Sequence, residues 1–141
     1  MPRSSFPALL AATLTMSAPL AFAASAGPVV TIDSGKVEGK VDAGVASWKG
    51  IPFAAPPVGD LRWRAPQAVQ PWTGVRQATN YAADCMQLPF PSDAAPLGTK
   101  PDEDCLYLNV WKPAAAQGKL PVLVWIYGGG FVNGGASPPT Y

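Results

Sequence analysis

The sequence predicts a sheet-based fold, all-β or mixed, and three observations carry that prediction. Short β-branched or alternating runs are separated by turn residues through the first third of the chain. Two later runs, residues 105–111 and 122–127, have large apolar residues on both faces, the pattern of strands buried inside a sheet. Few helices are evident. Strands apolar on both faces need a covering layer on each side, and nothing before residue 141 supplies one. The chain is therefore expected to be part of a longer fold.

The elements are justified in order. Residues 1–23 are read as a secretory leader. Met1-Pro-Arg3 gives a positive start, residues 6–22 carry no charge, and Ala21-Phe22-Ala23 fits a cleavage site, with Ala24-Ser25-Ala26 as a second candidate. The alternative is a membrane anchor, but the apolar run is short and holds Pro7 and Pro19, and no later segment approaches the roughly 20 apolar residues of a span. Export, to the periplasm or as a secreted protein, is the expectation, and the domain is taken as residues 24–141. Val29-Val-Thr-Ile32, residues 36–41 and residues 45–49 alternate with Asp33-Ser-Gly35 and Asp42-Ala-Gly44 turns, which predicts an antiparallel meander. Residues 50–66 carry four prolines and read as an ordered coil pinned by aromatic and arginine side chains. Residues 72–76 are a brief strand. Residues 105–111 and 122–127 come next as strands inside the sheet, the second of them central.

Charge excludes one class of function. Without Arg3, nine basic residues face nine acidic ones and no basic run is present, so nucleic acid is not an expected partner. Export also bears on Cys85 and Cys105. An oxidising compartment favours a disulfide over two buried thiols, and closing a loop of about 20 residues would contribute about 3 kcal/mol on the chain-entropy model.

The most telling stretch is Leu120-Pro-Val-Leu-Val-Trp-Ile-Tyr-Gly-Gly-Gly-Phe-Val-Asn-Gly134. Three successive glycines leave the backbone free of side chains and free to take positive φ. Their N–H groups can then converge on one point, which suits the oxyanion of acyl transfer. A His-Gly-Gly-Gly turn after a strand serves this purpose in lipases and esterases; here Tyr127 stands at the histidine position. Two other readings fail. Gly135-Ala-Ser-Pro-Pro139 begins like a nucleophile elbow, but the residue after the serine must donate an N–H, and Pro138 has none. A dinucleotide fingerprint from Gly128 would need glycine where Asn133 stands.

Four motifs occur in order: Gly50-Ile-Pro-Phe-Ala-Ala-Pro-Pro-Val-Gly59, Leu61-Arg-Trp-Arg-Ala-Pro66, Glu103-Asp-Cys-Leu-Tyr-Leu-Asn109 and Trp125-Ile-Tyr-Gly-Gly-Gly-Phe131. Together they resemble the type-B carboxylesterases, the family of cholinesterases and para-nitrobenzyl esterases, over residues 29–141. The resemblance implies the α/β class and the α/β-hydrolase fold, of which the chain would hold the N-terminal portion, a meander plus the first strands of the central sheet. It implies that Gly129 and Gly130 are oxyanion donors, with Gly128 serving the turn. It matches Cys85 and Cys105 to a disulfide whose loop walls the active-site gorge, and Arg62 with Glu103 to a structural ion pair, against the alternative of two solvated charges. Both charges stand among apolar neighbours, so a buried pair is expected. In cholinesterases the disulfide loop carries a choline-binding Trp. Residues 86–104 hold none, only Phe90, so a general esterase acting on a small-molecule ester is expected.

No cofactor or metal is implied. The chain contains no histidine, and in this fold the order is Ser, acid, then His, so the whole triad is expected beyond residue 141. The alternatives are a cholinesterase-like binding protein that has lost its triad, and a non-functional remnant. Oligomeric state is open.

Overall fold

The structure is a computed structural model that describes residues 27–88 and 97–139. The leader and Phe90 lie outside the described residues. Among those described, six strands form two three-stranded sheets: β1 (Val29–Ile32), β2 (Gly35–Glu38), β3 (Lys40–Asp42), β4 (Val45–Pro52), β5 (Val75–Gln77) and β6 (Tyr107–Pro113). The first sheet has the order β1-β2-β5 and the second β3-β4-β6. β1 and β2 pair antiparallel around the Asp33-Ser34 turn, as β3 and β4 do around Ala43-Gly44. β5 adds parallel to β2, and β6 adds antiparallel to β4.

The meander is therefore cut in two, and Gly39 is where it is cut. Its N–H leaves the ladder to reach Pro28 O at 3.0 Å. A Cβ on Gly39 would collide with Ser47 O and lie 2.8 Å from the Trp48 ring, so a residue with a side chain cannot make this close passage between sheets. Val37, Ala46, Trp48, Ile51 and Ala78 form the buried cluster, with Ile32 and Trp72 packed against it. Both indole N–H groups are used: Trp48 donates to Pro28 O and Trp72 to Lys36 O, each at 2.9 Å. Each aromatic thus fills the core without stranding its polar atom.

Four expectations are corrected. β4 runs on through Pro52 rather than ending at Lys49, because β6 pairs with it on both sides of a register shift between Trp48 and Ile51. The coil after it is not pinned by aromatics: Trp63 is 96% exposed and Phe53 is exposed as well. Backbone bonds hold it instead, among them Ala55 N–H to Gln67 O at 2.9 Å. β6, expected inside a sheet, is an edge strand here, with Leu108 and Val110 partly exposed. Residues 122–127, expected as a central strand, join no ladder among the described residues. Val122, Leu123, Val124 and Ile126 are each at least three-quarters exposed. A strand exists only by pairing, and the described residues offer this segment neither a neighbouring strand nor a covering layer.

Candidate active site

Directly after that segment the backbone tightens. Gly129 and Gly130 have φ of +129° and +60°, and Phe131 continues at +62°. Val132 and Asn133 both donate to Gly129 O, at 3.0 and 3.3 Å, closing a small turn. A Cβ on Gly129 would collide with Asn133 O, whereas one on Gly130 would meet no atom within 4 Å. Glycine is thus required inside the turn at 129 and required by backbone conformation at 130. Neither the Gly129 nor the Gly130 N–H is used by a hydrogen bond among the described residues. Gly128, Gly129 and Gly130 are all exposed. Two adjacent backbone donors are thus left unused on an exposed turn.

The segment after the turn is held by residues that the sequence did not single out. Gly134 N–H donates to Gln87 Oε1 at 2.7 Å, and Gln87 Nε2 returns a bond to Gly134 O at 2.7 Å. Ala136 N–H donates to Asp84 Oδ1 at 3.0 Å. Ser137 Oγ donates to Asp84 Oδ2, which also accepts from Thr99 Oγ1 at 2.9 Å. Ser137 Oγ in turn accepts from Gly98 N–H at 3.0 Å. Asp84 and Ser137 are each only 4% exposed, so the hydroxyl of Ser137 is a buried structural group, committed on both sides. From the sheet, Asn109 on β6 donates to Ala136 O at 3.2 Å and accepts from Gly50 N–H at 2.9 Å. Gly50, at φ +68°, lies in the register shift between Trp48 and Ile51. The side-chain amide of Asn109 thus satisfies a backbone donor that the irregular ladder leaves over.

The other sequence-predicted residues lie on the flank. Cys85 and Cys105 are disulfide-bonded, with Cα atoms 4.9 Å apart. The bond fastens the loop bearing Asp84 and Gln87 to the chain just before β6. Arg62 Nε sits 2.8 Å from Glu103 Oε1, but the two side chains are 53% and 40% exposed. The pair is made at the surface rather than buried, because the coil around Arg62 presents its aromatics to solvent. Nearby, the Tyr107 phenol is pushed above its ordinary value, first by burial, then by its hydrogen bond to Asp104 and that carboxylate's charge, with Arg76 pulling the other way.

A cavity of about 150 Å³ opens between the disulfide loop, β6 and the 136–137 segment, with Phe53, Tyr81, Tyr107 and Tyr127 on its walls. No group of three or more His, Cys, Asp or Glu able to hold a metal is present among the described residues. No helix among them is long and apolar enough to cross a membrane.

Nothing in the periodicity marks Asp84 and Gln87. They stand on either side of Cys85 and reach across 52 and 47 residues, respectively, to their backbone partners. The available hint was local: a Gly-Gly-Ala-Ser-Pro run after a turn has almost no side chains with which to anchor itself.

Comparison with known proteins gives this geometry a lineage. A profile of the carboxylesterase family matches residues 26–141. The chain is 51% identical over 112 residues to the fumonisin B1 esterase of Sphingopyxis macrogoltabida, a match covering 77% of this chain and 20% of that protein. It is 45% identical over 117 residues to the para-nitrobenzyl esterase of Bacillus subtilis (strain 168), covering 80% of this chain and 23% of that one. A solved PNB esterase structure superposes with a TM-score of 0.72 over 80% of this chain and 24% of its own, at 45% identity. The chain thus spans between a fifth and a quarter of the length of these relatives. Sequence and three-dimensional likeness converge: the chain belongs to the carboxylesterase family and carries the N-terminal part of its α/β-hydrolase fold.

Proposed function

We propose that the protein bearing this chain is a carboxylic-ester hydrolase acting by acyl transfer to a serine beyond residue 141, followed by hydrolysis with water. The reading rests above all on the Gly129–Gly130 turn. Its two N–H groups would bind the tetrahedral oxyanion, with the residue after the nucleophile as a third donor. Preorganised donors of this kind matter because they need no rearrangement as charge develops, and loss of one typically costs about 10²–10³ in kcat. The general base and its acid partner are assigned beyond residue 141 as well, since the chain has no histidine. Its relatives are esterases by name, which supports a small-molecule ester as substrate. The loop closed by Cys85 and Cys105 has no tryptophan to cradle a choline cation, which favours a general esterase. Residues 1–23 are assigned as an export leader on their sequence.

Reading the gene past codon 141 tests the proposal directly. An open frame with Gly-x-Ser-x-Gly and a later His supports it, and a stop codon or a replaced serine overturns it. In the longer enzyme, Gly130→Val should lower kcat about 10²-fold. A Cβ at 130 meets no protein atom within 4 Å, but a valine is strained at φ +60°, so the loss combines bulk on the open side with displacement of the N–H itself. A kcat left near that of the unsubstituted enzyme would remove Gly130 from the role.

A further inference from the structure

We infer that Gln87, with Asp84 behind it, is a positioning residue for the Gly129–Gly130 donors, so that the disulfide loop sets the geometry of the oxyanion turn. The inference rests on the esterase reading for its catalytic meaning, but its structural content stands separately.

The turn has two ends. On the N-terminal side, residues 122–126 join no ladder among the described residues. On the C-terminal side, Gln87 grips Gly134 through both its N–H and its carbonyl, and its Nε2 also reaches Cys85 O at 3.0 Å. A primary amide held to one residue's backbone in both directions fixes position and orientation together, as one rung of a strand ladder would. Gly134 then transmits that position. A Cβ there would collide with Gly128 O and lie 2.7 Å from the Tyr127 ring, so its backbone is in close contact with the start of the turn. The closing bonds to Gly129 O complete the link. Asp84 secures the next residues through Ala136 N–H and the Ser137 hydroxyl. It also excludes a side chain at Gly135, whose Cβ would collide with Asp84 Oδ1. The placement of the two donors is therefore inherited from the loop that Cys85–Cys105 closes.

The test compares Gln87→Met, which keeps the volume and removes both hydrogen bonds, with Gln87→Glu, which keeps an acceptor for Gly134 N–H. Both are made in the full-length protein, with two readouts. One is steady-state hydrolysis of a para-nitrophenyl ester, and the other is amide hydrogen exchange of peptides covering residues 126–137. Gln87→Met should lower kcat about tenfold with KM within about twofold, since donors displaced from the developing charge lose part of their effect. Exchange should speed up at 132–134 and not elsewhere. Gln87→Glu should recover part of both. Unchanged exchange at 132–134 overturns the inference whatever the activity. Faster exchange there with kcat unchanged removes its catalytic meaning and overturns it as well, as does faster exchange throughout the chain with activity following only the folded fraction. If the unsubstituted protein hydrolyses no ester, the esterase reading falls, and the exchange result alone decides whether Gln87 holds the turn.

Discussion

Residues 122–126 and residues 134–138 lie on either side of the same glycine turn, and their situations are opposite. The first is Val-Leu-Val-Trp-Ile, an unbroken apolar run, and its aliphatic side chains are at least three-quarters exposed. The second is Gly-Gly-Ala-Ser-Pro, with almost nothing to bury, yet Ser137 and Pro138 are among the least accessible residues described. Hydrophobicity drives burial only where a complementary surface exists to receive it. Hydrogen bonds to a fixed carboxylate and amide can immobilise a segment that has few side chains of its own, and these partners, Asp84 and Gln87, stand on either side of the disulfide-bonded Cys85.

Asp84→Ala should show the largest effect on this contrast. It removes the acceptor of Ala136 N–H and of the buried Ser137 hydroxyl, at about 1–3 kcal/mol for each donor left unsatisfied, while the Thr99 hydroxyl keeps Ala82 O as an acceptor at 3.2 Å. We expect a loss of about 4 kcal/mol by denaturant unfolding, the sum of two such donors. The matching change on the other side, Val124→Ser in the 141-residue chain, should stay within about 0.5 kcal/mol, because it touches an exposed position. Equal effects would erase the contrast. Next in size is the Cys85→Ser/Cys105→Ser double variant, expected to lose about 3 kcal/mol and to raise hydrogen exchange at 132–136. A stability loss with exchange there unchanged would separate the disulfide from the clamp.

Smaller again is Arg62→Ala. The pair with Glu103 is half in solvent, so less than about 1 kcal/mol should be lost, and the loss should shrink as salt is added. A cost of several kcal/mol would mean that this pair is buried in the full-length protein, as the sequence suggested. The smallest effect concerns pH. The Tyr107 phenol is raised in the folded chain, so folding favours its neutral form. That contribution is whole below the ordinary phenol value of about 10 and is lost as pH rises through the raised folded value. Tyr107→Phe should flatten the alkaline limb of the stability curve, read by urea unfolding at a series of alkaline pH values.

Much of the architecture was legible from short-range signals. The Asp33-Ser-Gly35 and Asp42-Ala-Gly44 turns sit between the pairs β1–β2 and β3–β4 because those residues reverse a chain whatever surrounds them. The three glycines announced a backbone with positive φ, and Gly129 and Gly130 have it. The split of the meander at Gly39 was not legible, since it depends on the Trp48 ring arriving from another strand. Nor was the exposure of Arg62 and Glu103, because apolar neighbours in sequence are not neighbours in space.

The family motifs, the turn chemistry, the pairing tendencies of the first strands and the lack of a histidine base before residue 141 could all be read from the chain as text. They depend on residue identity and on spacing over a few positions. The convergence of Asp84, Gln87 and Asn109 on residues 134–137 could not, and neither could the unladdered state of residues 122–127 in this chain. Both outcomes depend on which groups lie across space. A carboxylate or an amide can anchor any backbone within about 3 Å, and an apolar run becomes a strand only when a partner stands beside it.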